Sequence, residues 1–289
     1  MLENCFPSRK PLNLVTIWGH ARSGKSFLMK ALLAAESDVF AAAGGSGACT
    51  VCALISTTSR TLSQISGGEG SLSSPRGPQP QQPDIGFVDV EGQRDGHQSY
   101  ETKLVTPLLF LSKVVIYDGK SFPEKATMLD GLSSMAYTAS LLCPHNRENA
   151  FGHLIILLGD VPPTQEQTAY DLIFEPEDEG GAEAQAVSEA KARNEKRKLL
   201  KLSFQSTRVC CLPAPHPGKN GGEGIPQTEV TAGFMEEVLQ LRRVLATEML
   251  DEPHEFGDRP IEGGVALATL LPKVCEAINR GSKNLVPLR

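Results

Sequence analysis

Residues 12–35 read LNLVTIW, then GHARSGKS, then FLMKALLAA, and no other stretch limits the fold so tightly. The first run is short, apolar and rich in branched side chains, as suits a strand buried on both faces. The third has the composition of a helix. The residues between them, Gly19 to Ser26, match the pattern GxxxxGK[ST]. Each fixed position has a chemical reason. Gly19 and Gly24 let the backbone curl so that its amide groups converge on an anion. The first turn of the helix adds partial positive charge. Lys25 can reach the outer phosphates of a nucleotide, and the Ser26 hydroxyl can bind Mg²⁺.

The rest of the chain supplies the strands and helices that such a loop needs. Apolar runs at 48–57 (ACTVCALIST), 85–90 (IGFVDV), 113–117 (KVVIY), 153–158 (HLIILL) and 209–212 read as strands. Helices are expected at 100–111, 126–142, 182–202, 231–250 and 264–278, with Pro107 kinking the first of these or lying near its start. Strands alternating with helices mean an α/β fold, a mostly parallel sheet with helices on both faces in three layers. Residues 59–83, SRTLSQISGGEGSLSSPRGPQPQQP, form a low-complexity insertion expected to have no fold of its own. If the strands before and after it pair as a hairpin, it is the overgrown tip. Residues 175–181 (EPEDEGG) read as an acidic turn. The charges of 182–202 read as a solvated face with ordinary helix pairing around Glu189 and Glu195. Trp18 and His153 read as structural, and His20, Arg94, Asp95 and His97 as loop residues.

A second motif strengthens the first. Asp89 ends a hydrophobic strand in Asp-Val-Glu-Gly92. An acid there can hold Mg²⁺ through water, and the Gly92 amide can approach a γ phosphate. Together the two motifs define a P-loop NTPase. No Asn-Lys-x-Asp base-reading motif is present; the matching strand ends in Gly159-Asp160. The Asp160 carboxylate can accept from guanine N1–H and the exocyclic amine, whereas adenine presents an acceptor at N1. A plain turn or cap role for Asp160 remains the alternative.

Composition excludes other classes. Lys plus Arg is 28 against Asp plus Glu 34, a net charge of −6, which lacks the basic surplus of a nucleic-acid binder. Seven cysteines, with no second pair to match Cys49-x-x-Cys52, read as thiols in a reducing compartment rather than a zinc site. No run approaches the ~20 apolar residues of a membrane helix, and the N-terminus has no signal-peptide core. A soluble cytoplasmic protein without a membrane anchor is expected.

These residues resemble the GTPase domain of the guanylate-binding proteins and atlastins, dynamin-related large GTPases. GHARSGKSFLM resembles their phosphate loop, Asp89-Val-Glu-Gly92 their second motif, and LLFLSKVVIYDGKS their helix and strand ending in Val-Tyr-Asn. HLIILLGD resembles their strand ending in Arg-Asp. FQSTRVCCLPAPHPG resembles the Pro-containing segment near the guanine pocket, and GGVALATLLPKVCEAINRGSKNLVP the end of the domain. The resemblance implies one GTPase domain over 1–289, with no helical bundle or transmembrane segment. It implies Mg²⁺-dependent hydrolysis of GTP to GDP and pairing of two copies through their nucleotide-loaded domains. Arg22 matches the family's arginine finger, and Thr50 is the candidate switch threonine on Mg²⁺ and the γ phosphate. Arg22, Lys25 and Thr50 are then the catalytic set. Gly19, Ser23, Gly24, Ser26, Phe27, Gly92 and Asp160 complete the nucleotide contacts, with Ser26, Thr50 and Asp89 toward the metal. Two departures stand out: Gly159 replaces the family's Arg, and the insertion falls between Thr50 and Asp89. The alternatives are a regulatory module that binds nucleotide with little turnover and acts through protein interactions, and an ATP-using P-loop enzyme.

Overall fold

Every residue of the first apolar run is buried, and the strand it forms, β1 (Leu12–Gly19), lies inside a six-stranded sheet. The computed structural model describes residues 6–19, 23–33, 53–56, 60–66, 82–90, 98–120, 128–133, 136, 149–180, 184–216, 230–257 and 259–280. In chain order its elements are β1, α1 (Lys25–Leu33), β2 (Ala53–Ile55), α2 (Leu62–Ser66), β3 (Asp84–Val90), α3 (Gln98–Leu111), β4 (Val114–Lys120), β5 (Phe151–Gly159), α4 (Glu166–Phe174), α5 (Ala184–Ser203), β6 (Phe204–Leu212), α6 (Ala232–Val244) and α7 (Gly263–Arg280). The strand order is β2-β3-β1-β4-β5-β6. All neighbours are parallel except β2, which runs antiparallel to β3.

Side chains of β1 alternate between two cores, as the two-residue period of a strand requires. Leu12, Leu14 and Trp18 join Leu109 of α3, Phe174 of α4, Leu200 of α5 and Val274 of α7. Val15 and Ile17 join Met29 of α1, Ile65 of α2, and Phe234 and Val238 of α6. Helices therefore cover both faces of the sheet, as expected. The chain leaves β1 for β3 on one side and reaches β4 on the other, so the direction of winding reverses at β1. In sheets of this kind ligands bind outside the carboxyl ends of the strands at that reversal. The glycine loop begins there. No helix among the described residues is long and apolar enough to cross a membrane.

At its opposite end β1 is stapled to the C-terminal part of the chain. The buried Asn13 Nδ2 donates to Leu250 O (3.0 Å) and Glu252 O (2.8 Å), and Asn13 Oδ1 accepts from His254 N (2.7 Å). His254 Nε2 lies 2.8 Å from Phe110 O, so the neutral ring donates there. Burial pushes the His254 pKa down to about 4, the Phe110 hydrogen bond opposing and Lys113 and His153 reinforcing the shift. The unfolded chain takes up this proton near pH 6.5 and the folded chain only near 4. Stability from this group is thus complete above 6.5 and is lost as pH falls toward 4. Between pH 8 and 5 the loss is expected to be about 2 kcal/mol, read as a lower urea midpoint. His254→Gln should flatten that slope; an equal slope in both proteins would disprove the assignment.

Several sequence expectations need correction. The insertion was expected to be structureless from residue 59, yet its first residues are folded. Arg60 exchanges two 2.8 Å backbone hydrogen bonds with Ile85, and α2 follows with Ile65 buried. Arg242 of α6 donates from Nε to Ile65 O and from Nη2 to Gln64 O, both at 2.7 Å, which satisfies the last carbonyls of α2. The Arg60–Ile85 pair, buried Ile65 and the distant Arg242 hold these residues, and the composition of residues 59–83 signals none of these ties. The hairpin itself is present: Ala53 pairs with Val90 and Ile55 with Val88.

The charged helix at 182–202 is not simply solvated. In α5, Arg193, Asn194 and Arg197 turn inward onto the preceding turn. Arg193 donates to Glu177 Oε2 at 2.6 Å, Arg197 to Glu177 Oε1 at 2.7 Å and to Ile173 O at 2.8 Å. Arg193 first, then Arg197, hold the Glu177 carboxyl at a pKa of about 2. The ion pairs expected along the helix exist as well, Arg193 with Glu189 and Lys198 with Glu195. Helix α4 was not anticipated. Strand β6 starts five residues earlier than expected, at Phe204 rather than 209. The helix expected over 231–250 ends at Val244 and continues as one π-helical turn to Met249. Of the cysteines, Cys210, Cys211 and Cys275 are free thiols; the other four lie outside the described residues.

Candidate functional site

Four parallel strands end on one edge of the sheet, and each delivers a residue there. Gly19 closes β1, Asp89 lies near the end of β3, Asp118 lies in β4, and Asp160 follows β5. The register sets Ile17 beside Asp89 and Gly19 beside Asp118.

Gly19 has φ +151°, and a Cβ built on it would lie 2.0 Å from Asp118 O. Only glycine permits the loop to leave β1 so close to β4. Gly24, at φ +96°, ends the loop, and its carbonyl accepts the first bond of α1 from Leu28 N at 2.9 Å. Lys25 and Ser26, the first residues of α1, are both buried. Ser26 Oγ donates to Asp89 Oδ2 at 2.5 Å, a charge-assisted bond. The two sequence motifs therefore meet, 63 residues apart in the chain.

Asp118 was not singled out from the sequence. Its side chain is buried, and its Oδ2 accepts from Ser23 Oγ at 2.7 Å. Burial pushes its pKa up to about 7, against the pull of Lys25 and the Ser23 hydroxyl; Asp89 and Asp160 add to the rise.

Beside the loop opens a cleft lined by Ser23, Gly24, Phe27, Asp118, Gly159, Asp160, Pro213, Pro215 and Phe234. One wall is aromatic, with the rings of Phe27 and Phe234 5.8 Å apart. Phe234 is set in place by the cap of α6: Thr231 Oγ1 accepts from Phe234 N at 3.3 Å, while Thr231 N donates to Pro215 O at 2.9 Å. The Pro-rich exit of β6 and the start of α6 thereby become one wall. Asp160 sits at φ +60°, a left-handed conformation that Asp tolerates better than most residues. A Cβ at Gly159 would meet only Gly119 O, at 3.8 Å. Packing does not demand glycine there, and its effect is to widen the cleft beside Asp160.

The structure thus brings Gly19, Ser23, Gly24, Lys25, Ser26, Phe27, Asp89 and Asp160 to one edge. Arg22, Thr50 and Gly92 lie outside the described residues. Asp118, Thr231 and Phe234 were missed. A strand-end carboxylate was the available signal for Asp118; nothing local marks Phe234, whose role depends on a residue more than half the chain away.

The donor set suits a small hard cation. A serine hydroxyl and a carboxylate meet at one point, and Mg²⁺ takes few protein ligands, using water and phosphates for the rest. No cluster of three or more His, Cys, Asp or Glu side chains arranged for a metal occurs among the described residues. No protein-family model matches the chain, and no curated protein matches it.

Proposed function

We propose that the chain is a P-loop NTPase domain of the guanylate-binding protein and atlastin type that binds GTP and hydrolyses it to GDP and phosphate. The observation that carries this reading is the meeting of Ser26 and Asp89 at the mouth of a glycine loop, on the carboxyl edge of a parallel sheet. Lys25 and the loop amides hold the phosphates. Ser26 directly, and Asp89 through water, are the residues that would hold Mg²⁺. When bound, this ion would offset charge on the β and γ phosphates. Arg22 counters charge developing on the transferring phosphoryl group, with the Thr50 hydroxyl and the Gly92 amide as its further partners. The cleft takes the nucleoside: Phe27, Phe234 and the prolines flank the base, and Asp160 accepts from its N1–H and amino groups. Two nucleotide-loaded copies pair through this domain.

Phosphate release from GTP and from ATP, each with Mg²⁺ and again with EDTA, tests the reading. The expected result is release from GTP that EDTA abolishes, with ATP turned over at least tenfold more slowly. ATP turned over equally well would overturn the guanine assignment. Tight GTP binding without release would favour the regulatory module. No binding of either nucleotide would overturn the proposal.

A further inference from the structure

Asp118 touches the phosphate loop twice. Its backbone forms the surface against which Gly19 packs, so closely that no Cβ fits. Its side chain then reaches forward to Ser23 and accepts the hydroxyl at 2.7 Å. The loop is held at its first residue and again two residues before Lys25 by the same residue of β4. The carboxylate is buried, faces the cleft, and lies close enough to Lys25 for their charges to interact.

We propose that Asp118 is the positioning residue of the phosphate loop, fixing Ser23 and thereby the start of α1 where phosphates are to be received. The inference rests on the nucleotide reading above. Two effects of this side chain oppose each other and can be separated. As an acceptor it orders the loop, which favours binding. When ionised, its charge among Asp89, Asp160 and Lys25 repels a polyphosphate and competes for the lysine, which disfavours binding. An asparagine keeps the acceptor and removes the charge. An alanine removes both and frees the loop.

The test is the dissociation constant of a fluorescent GTP analogue with Mg²⁺, measured on full-length protein whose folding is checked by thermal melting. Asp118→Ala is expected to bind about tenfold more weakly, the size of a lost hydrogen bond to a charged group. Asp118→Asn is expected to bind at least as tightly as the wild type. Ser23→Ala, which loses the contact and keeps the charge, should bind at least as weakly. The double variant Ser23→Ala/Asp118→Ala should be no worse than the weaker single one, because both remove one contact. Rescue by asparagine separates positioning from a role in folding alone, which would change the melting temperature without this pattern of affinities. Should Asp118→Ala not fold, Ser23→Ala and Asp118→Asn carry the comparison. Binding by Asp118→Ala as tight as that of Asp118→Asn, wild-type-like binding by Ser23→Ala, or fully additive defects, would overturn the inference alone. A wild type that binds no nucleotide would overturn the nucleotide reading and this inference with it.

Discussion

Arg22→Ala is expected to bind Mg·GTP within a fewfold of the wild type and to release phosphate about 10³-fold more slowly. Lys25→Ala is expected to fail one step earlier, with binding weakened roughly a hundredfold. The contrast follows from when each charge matters. Lys25 is fixed in the first turn of α1, buried beside Ser26, so its ammonium belongs to the resting site and meets the ground-state phosphates. A guanidinium from the middle of the loop is useful when charge accumulates on the transferring group, and there it lowers the barrier without tightening the ground state. Single-turnover release beside equilibrium binding distinguishes the two. An Arg22→Ala protein that turns over like the wild type would remove Arg22 from catalysis. If both proteins also turned over only slowly, the regulatory-module reading would explain the site better.

Gly19→Ala is expected to destabilise the protein by roughly 3 kcal/mol or more, a large single-site effect. The added methyl would lie 2.0 Å from the carbonyl oxygen of Asp118 and 2.8 Å from its carbonyl carbon and its nitrogen. These are backbone atoms of an adjoining strand, so no rotamer change relieves the clash. The left-handed φ of +151° adds strain. Relief requires β1 and β4 to part at the Gly19–Asp118 pair, which would also move the loop. Nucleotide affinity should therefore fall with stability. Equilibrium urea unfolding is the measurement; a loss under 1 kcal/mol would mean the two strands do not approach so closely in solution.

The parts of the site that were legible are those written in consecutive residues. GHARSGKS stood out because its two glycines, lysine and serine fall in one short run between a strand and a helix. Asp89 was legible because the strand before it is continuous and apolar. Asp118 was not, since its meaning comes from Gly19 across a strand boundary and from Ser23, 95 residues distant. Phe234 gains its place from Phe27 and from the Thr231 cap, neither of which a local pattern reveals. The same division holds for the fold. The apolar runs of β1, β3, β4 and β5 read correctly as buried parallel strands. The start of β6, FQST, is polar because β6 is the outer strand, and half-exposed strands lose the apolar signal. In α5, Arg193, Asn194 and Arg197 look like solvent-facing polar residues until Glu177 is placed beneath them.

The anchoring of Asn13 also governs the order in which this protein can become itself. Its three partners are 237, 239 and 241 residues downstream. At ribosomal rates of roughly 5–20 residues per second, His254 is made about 12 to 48 s after Asn13. Through that interval the inner strand of the sheet carries an amide whose native acceptors do not yet exist. A nascent chain halted after β4 would already hold the entire glycine loop and its Asp89 partner, but not the turn that secures the foot of the strand beneath them. The strand translated before the other five of the sheet is among the last to be completed.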